Sequence, residues 1–188
     1  MKEIKESYTK YQELLKDTKN TSTPLIMLDE IKSNHPNTRT KEVDVLPVNI
    51  PEKMKLVVES KIGNKRDFKF RLMAPGYINK PFFRFDSAGQ PHYNRIPGVE
   101  LPQQKVYTPH FHKFDAEGRN IAYKTEALNK ETEREALLND ITLCMAHYSD
   151  ESQTYYMSKN YLKVLQTPPT ELDFDLNNDD PTDGVEYV

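Results

Sequence analysis

Residues 54–86 read MKLVVESKIGNKRDFKFRLMAPGYINKPFFRFD, and this stretch decides the fold class. Met54, Leu56 and Val58 recur at every second position, and so do Phe68, Phe70 and Leu72. A period of two puts each set on one face of a pleated strand. Gly63-Asn64 lies between the two runs and favours a tight hairpin there. Ala74-Pro75-Gly76 ends the hairpin, and FFRFD (82–86) reads as a further strand.

Working outward, Val43 and Val45 alternate upstream, with Val48 three positions on and Pro47 between them marking an edge or a break. Downstream, KVYTPHFHKFD (105–115) reads as a strand, and a turn over Asp115–Gly118 leads into Asn120–Thr125. The connections are short, so the expected five to seven strands pair mostly antiparallel. Asn129 is placed to cap a helix over roughly 130–148, with Glu131 and Glu133 at the positive end of its dipole. Its apolar face is Leu137, Leu138, Ile141, Cys144, Met145 and Tyr148. Residues 153–165 fit a strand or a helix.

At the N-terminus, Ile4, Tyr8, Tyr11 and Leu15 form one stripe of an amphipathic helix. Thr23-Pro24 predicts the start of a second short helix over LIMLDEIK, closed by His35-Pro36. The expected fold is α+β: an antiparallel curved sheet or partial barrel, one packed helix and an N-terminal helical pair. The expected organisation is an N-terminal helical segment over 1–36, an α+β domain over 42–166 and an acidic, disordered tail over 167–188.

Composition bounds the function. The apolar fraction is 36% of 188 residues, which implies a thin core. Cys144 is the single cysteine, so a disulfide framework and a Cys-rich zinc site are excluded. No apolar run reaches membrane-spanning length, and the charged, periodic N-terminus is no signal peptide. The expected compartment is the cytosol. The tail holds seven acids and no Lys or Arg, so a chain of net charge −3 carries +4 over residues 1–166. A mildly basic body permits contact with nucleic acid.

The chemistry concentrates in RFDSAGQPHYNRIPGVELPQQKVYTPHFHKFDAEGRNIAYKTE (84–126), which holds three of the five histidines. His110 and His112 are two apart on a strand, so they share a face about 6–7 Å apart. Two such imidazoles can share a metal or act as a general acid and base. Asp86, His92, Asp115 or Glu117 can supply a third ligand. The spacing His110, His112, Glu117 matches the first half of a cupin metal motif, but the upstream Gly and the second motif are missing. No metal or other cofactor is therefore expected. Metal-independent RNA cleavage needs a base, an acid and a cation. His110 or His112 with His92 can fill the first two roles, and Arg84 or Arg95 the third. Tyr93 and Tyr107 can stack bases. The structural alternative is that these histidines join a turn to a sheet while Arg84 and Asp86 close an ion pair.

Arg84-Phe85-Asp86, Pro91-His92-Tyr93-Asn94 and Pro109-His110-Phe111-His112, followed by Asp115 and Gly118, resemble a family of short uncharacterised bacterial and phage proteins. That family carries an R-x-D, P-H-x-N, P-H-x-H progression on a small β fold. The resemblance covers residues 54 to about 126 and implies a mobile-element or defence-related setting. Two functions are expected on these grounds. The first is an RNase-like toxin acting on host RNA through His92, His110, His112 and Arg84. The second is a non-catalytic, anti-CRISPR-like inhibitor that binds a host defence protein. It would anchor through Tyr8 and Tyr11, a Tyr-rich surface or the acidic tail. Neither reading needs a membrane, and neither sets the oligomeric state.

Overall fold

A computed structural model of the chain describes residues 2–157 and 159–166. The expected acidic tail lies outside the described residues. The chain opens with helices α1 (Lys2–Glu6) and α2 (Tyr8–Lys16). Three short strands follow: β1 (Lys19–Thr21), β2 (Leu25–Met27) and β3 (Glu30–Lys32). The long meander is β4 (His35–Pro47), β5 (Met54–Lys61), β6 (Asn64–Ala74) and β7 (Ile78–Asp86). Then come β8 (His92–Tyr93), a 3-10 turn (Leu101–Gln104), β9 (Lys105–Val106), β10 (His110–Phe114) and β11 (Asn120–Tyr123). Helices α3 (Glu126–Asn129), α4 (Glu131–Asn139) and α5 (Ile141–Ser152) precede β12 (Thr154–Tyr155) and β13 (Lys163–Leu165).

The main sheet runs β11-β10-β7-β6-β5-β4-β1-β12, with β3 on the flank of β4. It curls into a half-barrel, so the fold is α+β with a curved sheet and an N-terminal helix pair. Register shifts on β5–β6 and β6–β7 add to the curl, because an extra residue on one strand bends and twists the ladder. The Gly63-Asn64 hairpin forms as expected, with Gly63 at φ +76°, a conformation a side chain would strain.

The two faces of the sheet differ. One carries Val43, Leu56, Val58, Phe70, Leu72, Phe83, Phe85 and Phe111, all buried in a single core. Tyr148 of α5 lies against Phe70, Phe83 and Phe111, with ring centroids 5.3, 5.5 and 6.2 Å away. The other face carries Glu59, Lys69, Arg71, Arg84, Asp86, His110 and His112, which are cross-strand partners or their same-face neighbours.

Several local expectations are corrected. LIMLDEIK forms β2 and β3, not a helix. Lys163–Leu165 pairs with Leu25–Met27 in parallel, and Ile26 and Leu28 point into the core. The ladder to a distant strand outweighs the Thr23-Pro24 start signal. His35-Pro36 opens β4 and closes nothing. The helix expected over 130–148 is split at Asp140, whose side chain caps α5 by accepting from Thr142 N at 2.8 Å and Leu143 N at 3.0 Å. The first stripe is broken between α1 and α2: it contributes Ile4 and Tyr11 to the same core as the sheet, with Tyr8 and Leu15 partly buried against it, while Leu14, off the stripe, is fully buried.

Lys19 joins the ends of two helices. It is fully buried, and its ammonium donates to Leu15 O, Asp17 O and Ser152 O at 3.1, 2.7 and 2.9 Å. These carbonyls lie at or just beyond the C-terminal ends of α2 and α5, where a cation meets both the orphan acceptors and the negative dipole ends.

Candidate functional site

Strand pairing assembles the polar centre. In the β7–β10 ladder Asp86 faces His110 and Arg84 faces His112. The period of two holds Phe83, Phe85 and Phe111 in the core while it turns these four polar side chains to the opposite face. The His110 and His112 ring centroids are 4.5 Å apart. Asp86 Oδ2 lies 3.0 Å from Arg84 Nε, 3.2 Å from His112 Nε2 and 3.9 Å from His110 Nε2. Arg84 Nη2 is 2.8 Å from His112 Nε2.

His92 reaches this centre by a separate route. Its strand β8 pairs with β9, and the Asn94 amide is hooked onto β11: it donates to Ala122 O at 3.1 Å and accepts from Ala122 N at 2.7 Å. The His92 ring then stands 4.8 Å from His112 and 6.5 Å from His110. All three sequence-expected histidines and Arg84 therefore come together.

Asn120 sets the proton-bearing atoms of two rings. His92 Nε2 is 2.9 Å from the Asn120 backbone carbonyl, and His112 Nδ1 is 3.1 Å from Asn120 Oδ1. Both oxygens accept, so both ring nitrogens carry hydrogen. That leaves His92 Nδ1 and His112 Nε2 as the atoms that gain or lose a proton. Neutral His112 accepts from Arg84 at Nε2, and its protonated form donates to Asp86. Burial raises the Asp86 pKa, but the hydrogen bond with His112 and the Arg84 charge outweigh it and hold the carboxyl below its ordinary value.

Burial pushes His110 down to about 4, helped by the neighbouring His112, and it also lowers His92. This fixes the sign of a pH effect. Above pH 6.5 these rings are neutral in both states. Below it the unfolded chain binds protons that the folded chain refuses, until the pH reaches the folded value near 4. Stability measured by urea unfolding is thus expected to fall by about 2 kcal/mol between pH 6.5 and 4.5 from His110 alone. A flat profile across that window would contradict the buried, neutral ring.

Asp86, His110 and His112 each offer one ligand atom, and these atoms lie within 4.8 Å of one another. Two imidazoles and a carboxylate are a usable set for a divalent transition metal. The guanidinium of Arg84 stands against Asp86 Oδ2 and His112 Nε2 and would compete with a metal for them. Of the other ligands considered, Glu117 is paired with Lys5 at 2.6 Å on the surface and Asp115 with Arg119 at 2.7 Å. The cupin-like spacing therefore brings His110 and His112 together and leaves Glu117 outside.

The remaining sequence candidates divide. Tyr93 and Tyr107 are 39% and 59% exposed, and Lys105 Nζ lies 5.8 and 4.6 Å from their rings. Arg95 is exposed, with its backbone at φ +54°, a left-handed conformation uncommon outside glycine. Tyr11 is a correction. It is 1% exposed, and its hydroxyl donates to Phe82 O at 3.2 Å and accepts from Phe114 N at 2.8 Å. It bridges β7 and β10 where their own ladder has ended, so it is spent inside the fold and offers no anchor to a partner. Tyr8 packs partly buried beside it, ring on ring at 5.7 Å. Cys144 is buried as expected, and burial pushes its thiol far above the ordinary value.

Asn94 and Asn120 carry no sequence signal of a functional role: the first is the last residue of the P-H-x-N unit and the second begins a strand, and only their contacts with Ala122, His92 and His112 reveal them. No helix among the described residues is long and apolar enough to cross a membrane. No family model, curated protein or solved structure matches the chain.

Proposed function

We propose that this centre cleaves RNA by metal-independent transesterification, with His92 as general base, His112 as general acid and Arg84 as the phosphate contact. The observation that supports it most is the convergence of two differently tethered imidazoles, 4.8 Å apart, beside one guanidinium. His92 Nδ1 takes the proton of a ribose 2′-OH, and the 2′-oxygen attacks phosphorus. The P–O5′ bond breaks, and the protonated Nε2 of His112 passes its proton to O5′. The products are a 2′,3′-cyclic phosphate and a 5′-hydroxyl. A phosphate that draws Arg84 off His112 both frees Nε2 and gains a charge-assisted pair on its non-bridging oxygens. Asp86 steadies the His112 imidazolium. His110 is as buried as His112, but it does not line the cleft that His112 and Arg84 border, and its Nε2 is 3.9 Å from Asp86 Oδ2, so it carries no proton-transfer step. The resemblance to short phage and bacterial proteins adds a setting, a mobile-element product acting on host RNA.

The test is cleavage of a labelled single-stranded RNA in the presence of a chelator. His92→Asn and His112→Asn are each expected to lower the rate at least about 10²-fold. Each variant should melt within a few degrees of the parent. Cyclic phosphate ends should appear, and an all-deoxy strand should stay intact. Undiminished cleavage by the double variant, or cleavage of the deoxy strand, would sink this chemistry.

A further inference from the structure

Three clefts open in sequence away from the histidine centre. The first, about 340 Å³, is walled by Lys80, Arg84, His112 and Asn120. The second, about 470 Å³, shares Asn120 and adds His92, Tyr93, Arg95 and Arg119. The third, about 620 Å³, shares Tyr93 and Arg95 and adds Leu101, Pro102, Lys105 and Tyr107. The first two clefts adjoin at Asn120 and the last two at Tyr93 and Arg95, so they follow one another along the surface. Five cations line this path, two of them paired from behind (Arg84 with Asp86, Arg119 with Asp115), and no Asp or Glu among the described residues lines it, in a chain whose net charge is −3.

We infer that this path is a binding track for single-stranded RNA, with bases stacked on Tyr93 and Tyr107 and phosphates on Arg95 and Lys105. The inference rests on the phosphodiester reading of the centre at its inner end and names the substrate that centre would meet.

The chemistry favours an unpaired strand. Exposed tyrosine rings offer flat faces that a base can meet only when it is not already stacked in a duplex. Lys105 lies close to both rings, within the reach of a cation–π contact, and carries a charge for the backbone between them. The outer wall is also built before any ligand arrives. Gln104, 5% exposed, donates to Ile96 O at 3.1 Å and Val99 O at 2.6 Å and accepts from Ile96 N, while Asn94 N donates to Gln104 O at 3.3 Å. Those bonds close the 94–104 loop onto itself, and the Asn94 hook fixes it to the sheet. The strained backbone of Arg95 is held between these two clamps.

The test uses a fluorescent 12-nucleotide 2′-O-methyl RNA, which binds but has no 2′-hydroxyl to react, and its duplex as a control. Binding is read by anisotropy with the full chain. Tyr93→Ala with Tyr107→Ala is expected to weaken binding of the single strand at least tenfold, since stacking contributes about 1–3 kcal/mol per base. Arg95→Gln should weaken it a few-fold and lower the salt slope by about one ion. The duplex should bind more weakly than the strand. Equal affinity of the tyrosine variant, a preference for the duplex, or no binding at all would overturn the track. Tyrosine-dependent binding without cleavage of unmodified RNA would leave the track standing and remove the proposed reaction. Cleavage indifferent to both tyrosines would do the reverse.

Discussion

Phe111→Ala is expected to destabilise the protein by about 3–5 kcal/mol, the usual cost of removing a buried phenyl ring. Phe111 is fully buried between His110 and His112 in sequence, on the opposite side of the strand. Its ring meets Phe85 at 4.9 Å, His147 at 5.5 Å, Tyr123 at 5.6 Å and Phe83 at 5.7 Å. No single neighbour can swing in to refill the gap, because each is held by its own strand or helix. Against a total stability of roughly 5–15 kcal/mol this is a large fraction, and the melting temperature should fall by about 10 °C. Urea unfolding at pH 7 measures it. A loss below about 1.5 kcal/mol would mean that the aromatic layer is not the structural base of the centre. Phe111→Leu should lose much less, since most of the apolar volume stays.

Asp86→Asn acts from the other side of the same strands. The carboxylate is buried and meets Arg84 at 3.0 Å and His112 at 3.2 Å, so the amide leaves a guanidinium without its counter-charge. Breaking a buried pair this way costs about 3 kcal/mol, towards the low end of the range because Arg84 is 31% exposed and can turn to water. If the centre cleaves RNA as proposed, the turnover number should fall by about 10³-fold, because an amide cannot hold the His112 imidazolium as a carboxylate does. KM should stay within about threefold, since Arg84 still faces the phosphate. A rise in KM with unchanged turnover would make Asp86 a binding residue, and unchanged values of both would make it purely structural.

The motifs show where local reading stops. R-x-D and P-H-x-H are legible as chemistry because each spans two residues on a strand, and a period of two alone puts both members on one face. P-H-x-N is different. His92 is 18 positions before His110, with a Pro-containing loop between, and its direction depends on Asn94 gripping Ala122. The turn that carries His92 is joined to the sheet by the Asn94 amide on Ala122 and by His92 itself on the Asn120 carbonyl. Tyr11 fell on a readable apolar stripe, yet periodicity says only that such a face is covered, not by what.

From its residues alone this chain declares the alternating strands of the 43–86 meander, the Gly63-Asn64 hairpin, the apolar stripe that α4 and α5 bury, and the common face within each of the pairs Arg84-Asp86 and His110-His112. Each pattern is set by neighbours one to four positions apart, through backbone geometry that every strand or helix obeys. That the Arg84-Asp86 pair and the His110-His112 pair share one face was decided by the β7–β10 ladder. Tertiary structure alone decided that LIMLDEIK is extended, that Tyr11 plugs the end of a ladder and that His92 stands against His112. In each case the deciding hydrogen bond goes to a residue far along the chain, and a long-range partner leaves no periodic mark on the segment that finds it.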